Sequence, residues 1–265
     1  MKLIKKMLLA TAIAAATATS AQASTITIGG VTWDPDAVSQ SDSDFTARYE
    51  FNQYFSTAAN AVANAVNAAP NYANAINPTT VSLTDVLQGA GEITKFNGVN
   101  YGDTASTVGG AFCASCELTF TFGGFAINGP STFTNGWLRI YVDSTPDFNI
   151  STSPAANAAD GTLFLELTAR SNDFFSSGGF ASGSLFTYFD VTGGIAKNNF
   201  DTNTQNFATD LLSTASAQFN NRPPFQFIAT STGVITGDSI PEPATVFLMG
   251  AALLGLAFAR RKTQI

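Results

Sequence analysis

Between residues 78 and 238 the apolar side chains recur at every second position, and no other property of the chain restricts its fold as strongly. Leu118, Phe120 and Phe122 alternate with Thr119 and Thr121; Leu138, Ile140 and Val142 with Arg139 and Tyr141; Leu163, Leu165 and Leu167 with Phe164 and Glu166. Successive side chains of an extended strand point to opposite faces, so each run reads as a strand with one buried face. Thr25 to Trp33, Glu92 to Phe96, Leu185 to Val191, Phe225 to Thr230 and Gly233 to Thr236 read as further strands. Turn formers such as Asn128-Gly129-Pro130 and Asp160-Gly161 separate them. Many short strands without a second run of helices predict a mainly β fold, an antiparallel β-sandwich of jelly-roll type. No repeat of fixed period is present, which argues against a solenoid or propeller. Earlier in the chain, Phe51, Phe55, Ala58, Val62, Val66 and Ala69 follow the helical period and put Asn60, Asn64 and Asn67 on the opposite face. One N-terminal amphipathic helix over about 45–69, ended by Pro70, is therefore expected, with its asparagines on the wet side. Residues 71–78 read as a loop.

Of the 265 residues, 45% are hydrophobic and 12% charged, a balance that suits a large core and argues against disorder. There is no histidine, which excludes Ser-His-Asp and Cys-His nucleophiles, His-ligated zinc and a histidine pH switch. Residues 24–238 carry 18 acidic against six basic side chains, a net charge of −12, which repels phosphate backbones and excludes nucleic acid as a partner.

The remaining basic residues sit at the two ends. Lys2, Lys5 and Lys6 precede an apolar stretch that leads to Ala21-Gln22-Ala23, the small-x-small pattern read by signal peptidase. Residues 1–23 are thus read as a signal peptide, with cleavage before Ser24. The alternative, a retained membrane helix, has too short an apolar run for a span of about 20 residues. At the other end Pro241-Glu242-Pro243 leads into an apolar run over 244–259 and then Arg260-Arg261-Lys262. As a helix that run is about 24 Å long at ~1.5 Å per residue, enough to span if its ends snorkel or the bilayer thins. The basic cluster stays on the cytoplasmic side by the positive-inside rule, so residues 24–238 face outward, in agreement with the signal peptide.

Motif, apolar helix and basic tail in this order resemble the PEP-CTERM sorting signal of Gram-negative bacteria. The resemblance covers the unit 239–265, with Ile240 where the family usually has Val. It implies removal of the tail near Pro241-Glu242-Pro243 by an exosortase, a membrane-embedded, transpeptidase-like enzyme. It also implies transient anchoring in the inner membrane, and then a cell-surface or matrix destination in an organism that makes extracellular polysaccharide. The bland alternative is an ordinary C-terminal anchor. The runs Leu138-Arg139-Ile140-Tyr141-Val142-Asp143, Asp160-Gly161-Thr162-Leu163-Phe164-Leu165 and Asp190-Val191-Thr192-Gly193-Gly194 are similar to stretches of other such proteins whose central domains lack an assigned activity.

Within 24–238 the chemistry-bearing side chains are few. Cys113 and Cys116 are the only cysteines. Alternation begins directly after Cys116, so a strand follows in place of the helix N-terminus that activates a redox thiol, and a structural disulfide is expected. Asp34 with Asp36, Asp42 with Asp44, and Asp143 with Asp147 are close enough in sequence to supply oxygen ligands for calcium, which needs six to eight. None fits a strict motif, and solvated loop carboxylates are the plainer reading, so no metal or other cofactor is assigned. No nucleophile elbow occurs, and no catalytic residue is assigned; a carboxylate glycosidase would need an acid and base brought together only by the fold. The expectation is a non-enzymatic structural or interaction component beside extracellular polysaccharide. The alternative is a lectin-like module using exposed aromatics such as Trp33, Trp137 and Tyr141, with or without calcium.

Overall fold

The structure, a computed structural model, describes residues 25–35, 45–97, 99–100, 112–176, 179–222 and 225–240, and each alternating run within them is an extended strand. In chain order these are β1 (Ile26–Ile28), β2 (Val31–Trp33), β3 (Phe45–Ser56), β4 (Val86–Phe96), β5 (Val99–Asn100), β6 (Glu117–Ile127) and β7 (Phe133–Thr134). There follow β8 (Trp137–Asp143), β9 (Thr162–Phe175), β10 (Ser182–Gly193), β11 (Leu211–Gln218), β12 (Asn220–Arg222) and β13 (Phe225–Gly237).

Eight of them close on themselves. β3 pairs with β4, β4 with β6, β6 with β8, β8 with β9, and β9 with β10, all antiparallel. β10 then pairs with β11 and β11 with β13, and β13 returns to β3. Each long strand lies beside its successor in the chain, the up-and-down order. The expected sandwich is therefore corrected to a closed barrel. Alternation reports that one face is buried, and a sheet rolled onto itself buries that face as fully as two stacked sheets do. The closing contact joins first and last strands, with Phe45 opposite Gly237 and Gln53 opposite Ala229.

The helix expected over 45–69 is also corrected. Phe45, Ala47, Tyr49 and Phe51 point inward on β3 while Thr46, Arg48 and Glu50 point out. Phe51 and Phe55, four residues apart, satisfy a period of two as well as one of 3.6, and tertiary pairing decides in favour of the strand. After β3, a single 3₁₀ turn at Ala58–Asn60 gives way to irregular chain. Leu163 leaves its expected row for a different reason. A bulge opposite Ile140 and Tyr141 shifts the register of β9, so that Phe164 and Leu165 are both buried and Leu163 only half so.

Rings fill the barrel. Phe120 and Phe122 on β6 stand opposite Gly91 and Gly89 on β4, and a Cβ on either glycine would come within 2.7 Å of the facing ring. The absent side chains of β4 give the β6 rings their room. Tyr49 lies over Gly233 in the same way, and its hydroxyl meets Ser213 Oγ at 2.7 Å. Burial raises the Tyr49 phenol well above its usual range, against the opposing effect of Ser213. The space left inside is about 60 Å³, walled largely by rings such as Phe51, Phe55, Phe125 and Phe180.

The end where β13 finishes, the base, is plugged by the β1–β2 hairpin. Its turn residues Gly29 and Gly30 have φ of 60° and 90°, the left-handed pair that a type I′ turn requires. Trp33 stacks on Phe200 at 5.3 Å and meets Phe96 and Phe164 edge-on. Its Nε1 donates to Ser239 Oγ at 3.2 Å. Phe200 closes a single α-helical turn, Lys197–Phe200, in which Asn199 is buried. The Ile240 N–H donates to the Asn199 carbonyl at 2.9 Å, and Asn199 Nδ2 donates to the Ile240 carbonyl at 3.1 Å.

One half of the outer wall is covered. Residues 57–69 run over the outside of β4, β6 and β8. The Val62 N–H donates to Gln88 Oε1 at 2.7 Å, the Asn67 N–H to the Tyr141 hydroxyl at 3.2 Å, and Thr121 Oγ1 to the Ala68 carbonyl at 3.3 Å. Asn64, expected on a wet helix face, accepts from Arg139 Nη2 at 2.6 Å. A second loop adds Phe148, Ala155 and Ala158, which pack on Ala90. The other half, β9 to β13, has no such layer among the described residues and shows the alternation of buried and exposed positions typical of a sheet facing water.

Candidate functional site

Three places bear on function: a carboxylate cluster at the base, the disulfide turn beside it, and the bare outer wall.

Strand register brings Glu117 opposite Asp143, and the turn after β8 returns Asp147 to both. One carboxylate oxygen from each of the three lies within 4.8 Å of the others. Glu117 is buried, and its Oε1 accepts from the N–H groups of Asp147 at 3.2 Å and Phe148 at 3.1 Å. Burial raises the Glu117 carboxyl above the usual range and the negative charges of Asp143 and Asp147 add to this, while its two backbone partners oppose it. Asp160 is raised too, first by desolvation and then by Asp143 and Asp147. Chemically the cluster offers oxygen ligands of the type calcium takes, but three residues fall short of its six to eight. Glu117 spends its acceptor capacity on the loop that covers β6. Of the other acidic pairs, Asp34 lies at the base, where its carbonyl accepts from Asn97 Nδ2 at 3.0 Å. Asp36, Asp42 and Asp44 lie outside the described residues.

Cys113 and Cys116 are joined, with Cα atoms 5.1 Å apart, and β6 begins directly after them. The Thr32 N–H donates to the Phe112 carbonyl at 2.9 Å, and Phe112 stacks on Phe96. The bridge thus sets a turn that braces the hairpin plug.

Trp33, Trp137 and Tyr141 do not form an exposed row: they are 2%, 5% and 0% exposed. Trp33 is in the plug, while Trp137 and Tyr141 point outward under covering chain. Arg139 lies over the Trp137 ring at 4.6 Å, and Tyr141 is bonded to residue 67. The accessible rings are on the bare wall. Phe175 contacts Phe186 edge-on at 5.5 Å, and Phe207 contacts Tyr188 at 5.1 Å. Phe175 and Phe207 are 63% and 65% exposed. Phe207 holds φ of +63° and Ala208 +55°, conformations that cost non-glycine residues about 1 kcal/mol or more each. Beside these rings an open groove of about 660 Å³ crosses the wall, lined by Arg48, Glu50, Lys95, Ser184, Phe186 and Thr232 among others. Reading the sequence missed these rings because Leu185, Phe186, Tyr188 and Phe189 place apolar side chains on both faces of β10, leaving the outward face unspecified.

Among the described residues no helix is long and apolar enough to cross a membrane. Ala21, Ala23 and Ser24 of the signal cleavage, Pro241, Glu242 and Pro243 of the sorting motif, the apolar run 244–259 and Arg260, Arg261 and Lys262 all lie outside the described residues. Residues 239–262 match the family model described as the PEP-CTERM protein-sorting motif. Comparisons with curated proteins and with solved structures gave no match.

Proposed function

We propose, from the premise that the PEP-CTERM motif marks an exported, transiently membrane-anchored exosortase substrate, that the mature barrel is a non-enzymatic surface or matrix component working beside extracellular polysaccharide. One observation carries the reading: the interior is filled by aromatic rings down to about 60 Å³, so contact with other molecules falls to the outer surface. That space is far below the roughly 300–1,000 Å³ of small-molecule sites. The carboxylates closest to one another do not suggest acid-base work, since Glu117 is engaged with two backbone N–H groups. The inward face is mostly apolar, with a few paired polar groups such as Tyr49 and Ser213, while the outward side chains of β11 and β13 include Thr214, Ser216, Thr230 and Thr232. This polarity is the inverse of an outer-membrane barrel.

A second reading, glycan binding in the lectin manner, is favoured by the bare wall. The Phe175–Phe186 and Tyr188–Phe207 pairs flank hydroxyl-bearing strands and the charged groove residues Arg48, Glu50 and Lys95. The mature protein, taken from the cell surface and titrated with polysaccharide from its own producing organism, with and without calcium, tests both. Co-fractionation with the matrix without saturable binding supports the structural reading. Saturable binding weakened about tenfold or more by Phe186→Ala supports the glycan-binding one. Absence from both surface and matrix would sink both.

A further inference from the structure

We infer that the barrel base limits how close to the folded domain the sorting tail can be cut, because it holds the Ser239 side chain and the Ile240 backbone against the fold while the Ile240 side chain stays exposed; this rests on the exosortase reading. Ser239 is 3% exposed and accepts from Trp33 Nε1. Ile240 uses both backbone groups on Asn199, N–H to the Asn199 carbonyl and carbonyl to Asn199 Nδ2. Asn199 is itself buried, in the turn that carries Phe200 under Trp33. The next residue is Pro241, which has no N–H to extend such pairing and keeps Ile240 in an extended conformation. A peptidase must draw several residues into its cleft in extended form, and chain tied into a folded domain is reached only through local opening. The Ser239–Ile240 bond and those before it are therefore shielded.

The clamp also depends on the completed barrel. Trp33 reaches Ser239 across 206 residues of sequence, and Asn199 reaches Ile240 across 41. Neither contact exists before β13 has closed on β3 and the hairpin has seated, so a chain with an open barrel exposes the bonds around 239 as well.

The test uses the full chain in cells with an active exosortase and reads the C-terminus of the surface form by mass. The expected result is an end at Ile240 or beyond. An end at Ser239 or earlier in the unmutated protein overturns the inference. A surface form still ending at Ile265 counts against the exosortase reading, and the clamp is then judged by amide exchange of the purified full chain in detergent. The Ile240 amide is expected to exchange at least about tenfold more slowly than an unstructured amide; exchange at the unstructured rate overturns the clamp. Asn199→Asp keeps the side-chain shape but replaces the donor, and is expected to speed that exchange about five- to tenfold while the β13 amides keep theirs. Unchanged exchange at Ile240 in this variant would overturn the part of the clamp assigned to the Asn199 side chain.

Discussion

The two halves of the barrel wall have the same strand architecture but different relations to water. β6, β8 and the first part of β4, Val86–Gly91, are buried on both faces, inside by rings and outside by residues 57–69 and the loop around Phe148. β9, β10 and β11 keep an outward face of intermediate and exposed residues. Each half carries an arginine–carboxylate pair. Arg139 Nη2 meets Glu166 at 2.6 Å with its side chain 4% exposed, whereas Arg170 Nε meets Asp190 at 3.0 Å with its side chain 64% exposed. The covered pair also binds covering chain, through Asn64 and the Ala65 carbonyl. Arg139 therefore joins the wall to its covering layer, while Arg170 faces solvent.

Four substitutions would break or sharpen this contrast. The largest effect is expected from Phe120→Ala, which empties space beside Gly91 in the interior shared by both halves; it should cost about 3–5 kcal/mol in urea or thermal unfolding. Arg139→Ala should cost about 2–3 kcal/mol, because it strands a half-buried Glu166 and unties residues 64 and 65. If it costs no more than an exposed substitution, the covering layer is not held as described.

The third prediction concerns pH. Burial raises the folded-state Glu117 carboxyl, so the folded protein holds that proton more tightly than the unfolded chain. The resulting stability is fully present below the unfolded pKa of about 4.3 and is lost as pH rises through the folded value. Glu117→Gln, which keeps an acceptor for the Phe148 N–H, should flatten this fall and be the more stable form, relative to wild type, at neutral pH. Denaturant melts across acid to neutral pH check it, and identical slopes in the two proteins would remove Glu117 as the cause. The smallest effect belongs to Arg170→Ala, expected at about 0–1 kcal/mol as for other exposed ion pairs.

The same contrast explains how much could be read from the residues alone. On β6 and β8 the inward rows Leu118-Phe120-Phe122 and Leu138-Ile140-Val142 were legible because strict alternation has a single structural reading. The PEP-CTERM tail was legible because motif, apolar run and basic cluster are contiguous. Two further features depended on contacts distant in sequence. Closure rests on β3 meeting β13 roughly 180 residues later, as in Gln53 opposite Ala229, which no local pattern encodes. The burial of Trp137 and Tyr141 rests on residues 57–69, the second half of the stretch 45–69 whose spacing predicts a helix that does not form. The candidate site was less legible still. Glu117 could not be grouped with Asp143 and Asp147 until register set the first two opposite each other, and the outward rings of β10 were hidden by apolar residues on both of its faces.

The position of β13 has a mechanical consequence. This strand precedes the tail and is hydrogen-bonded over Ala229–Gly237 to β3 on one side and over Thr232–Gly237 to β11 on the other. Any load that enters through the C-terminal end of the barrel meets this strand first. Such a load falls on both ladders in shear, so their bonds resist together instead of parting one after another as in a peeled edge strand. A barrel with its last strand at a free edge would unzip from the anchor point; here the tethered strand is flanked on both sides, and the fold can bear tension during the interval before release.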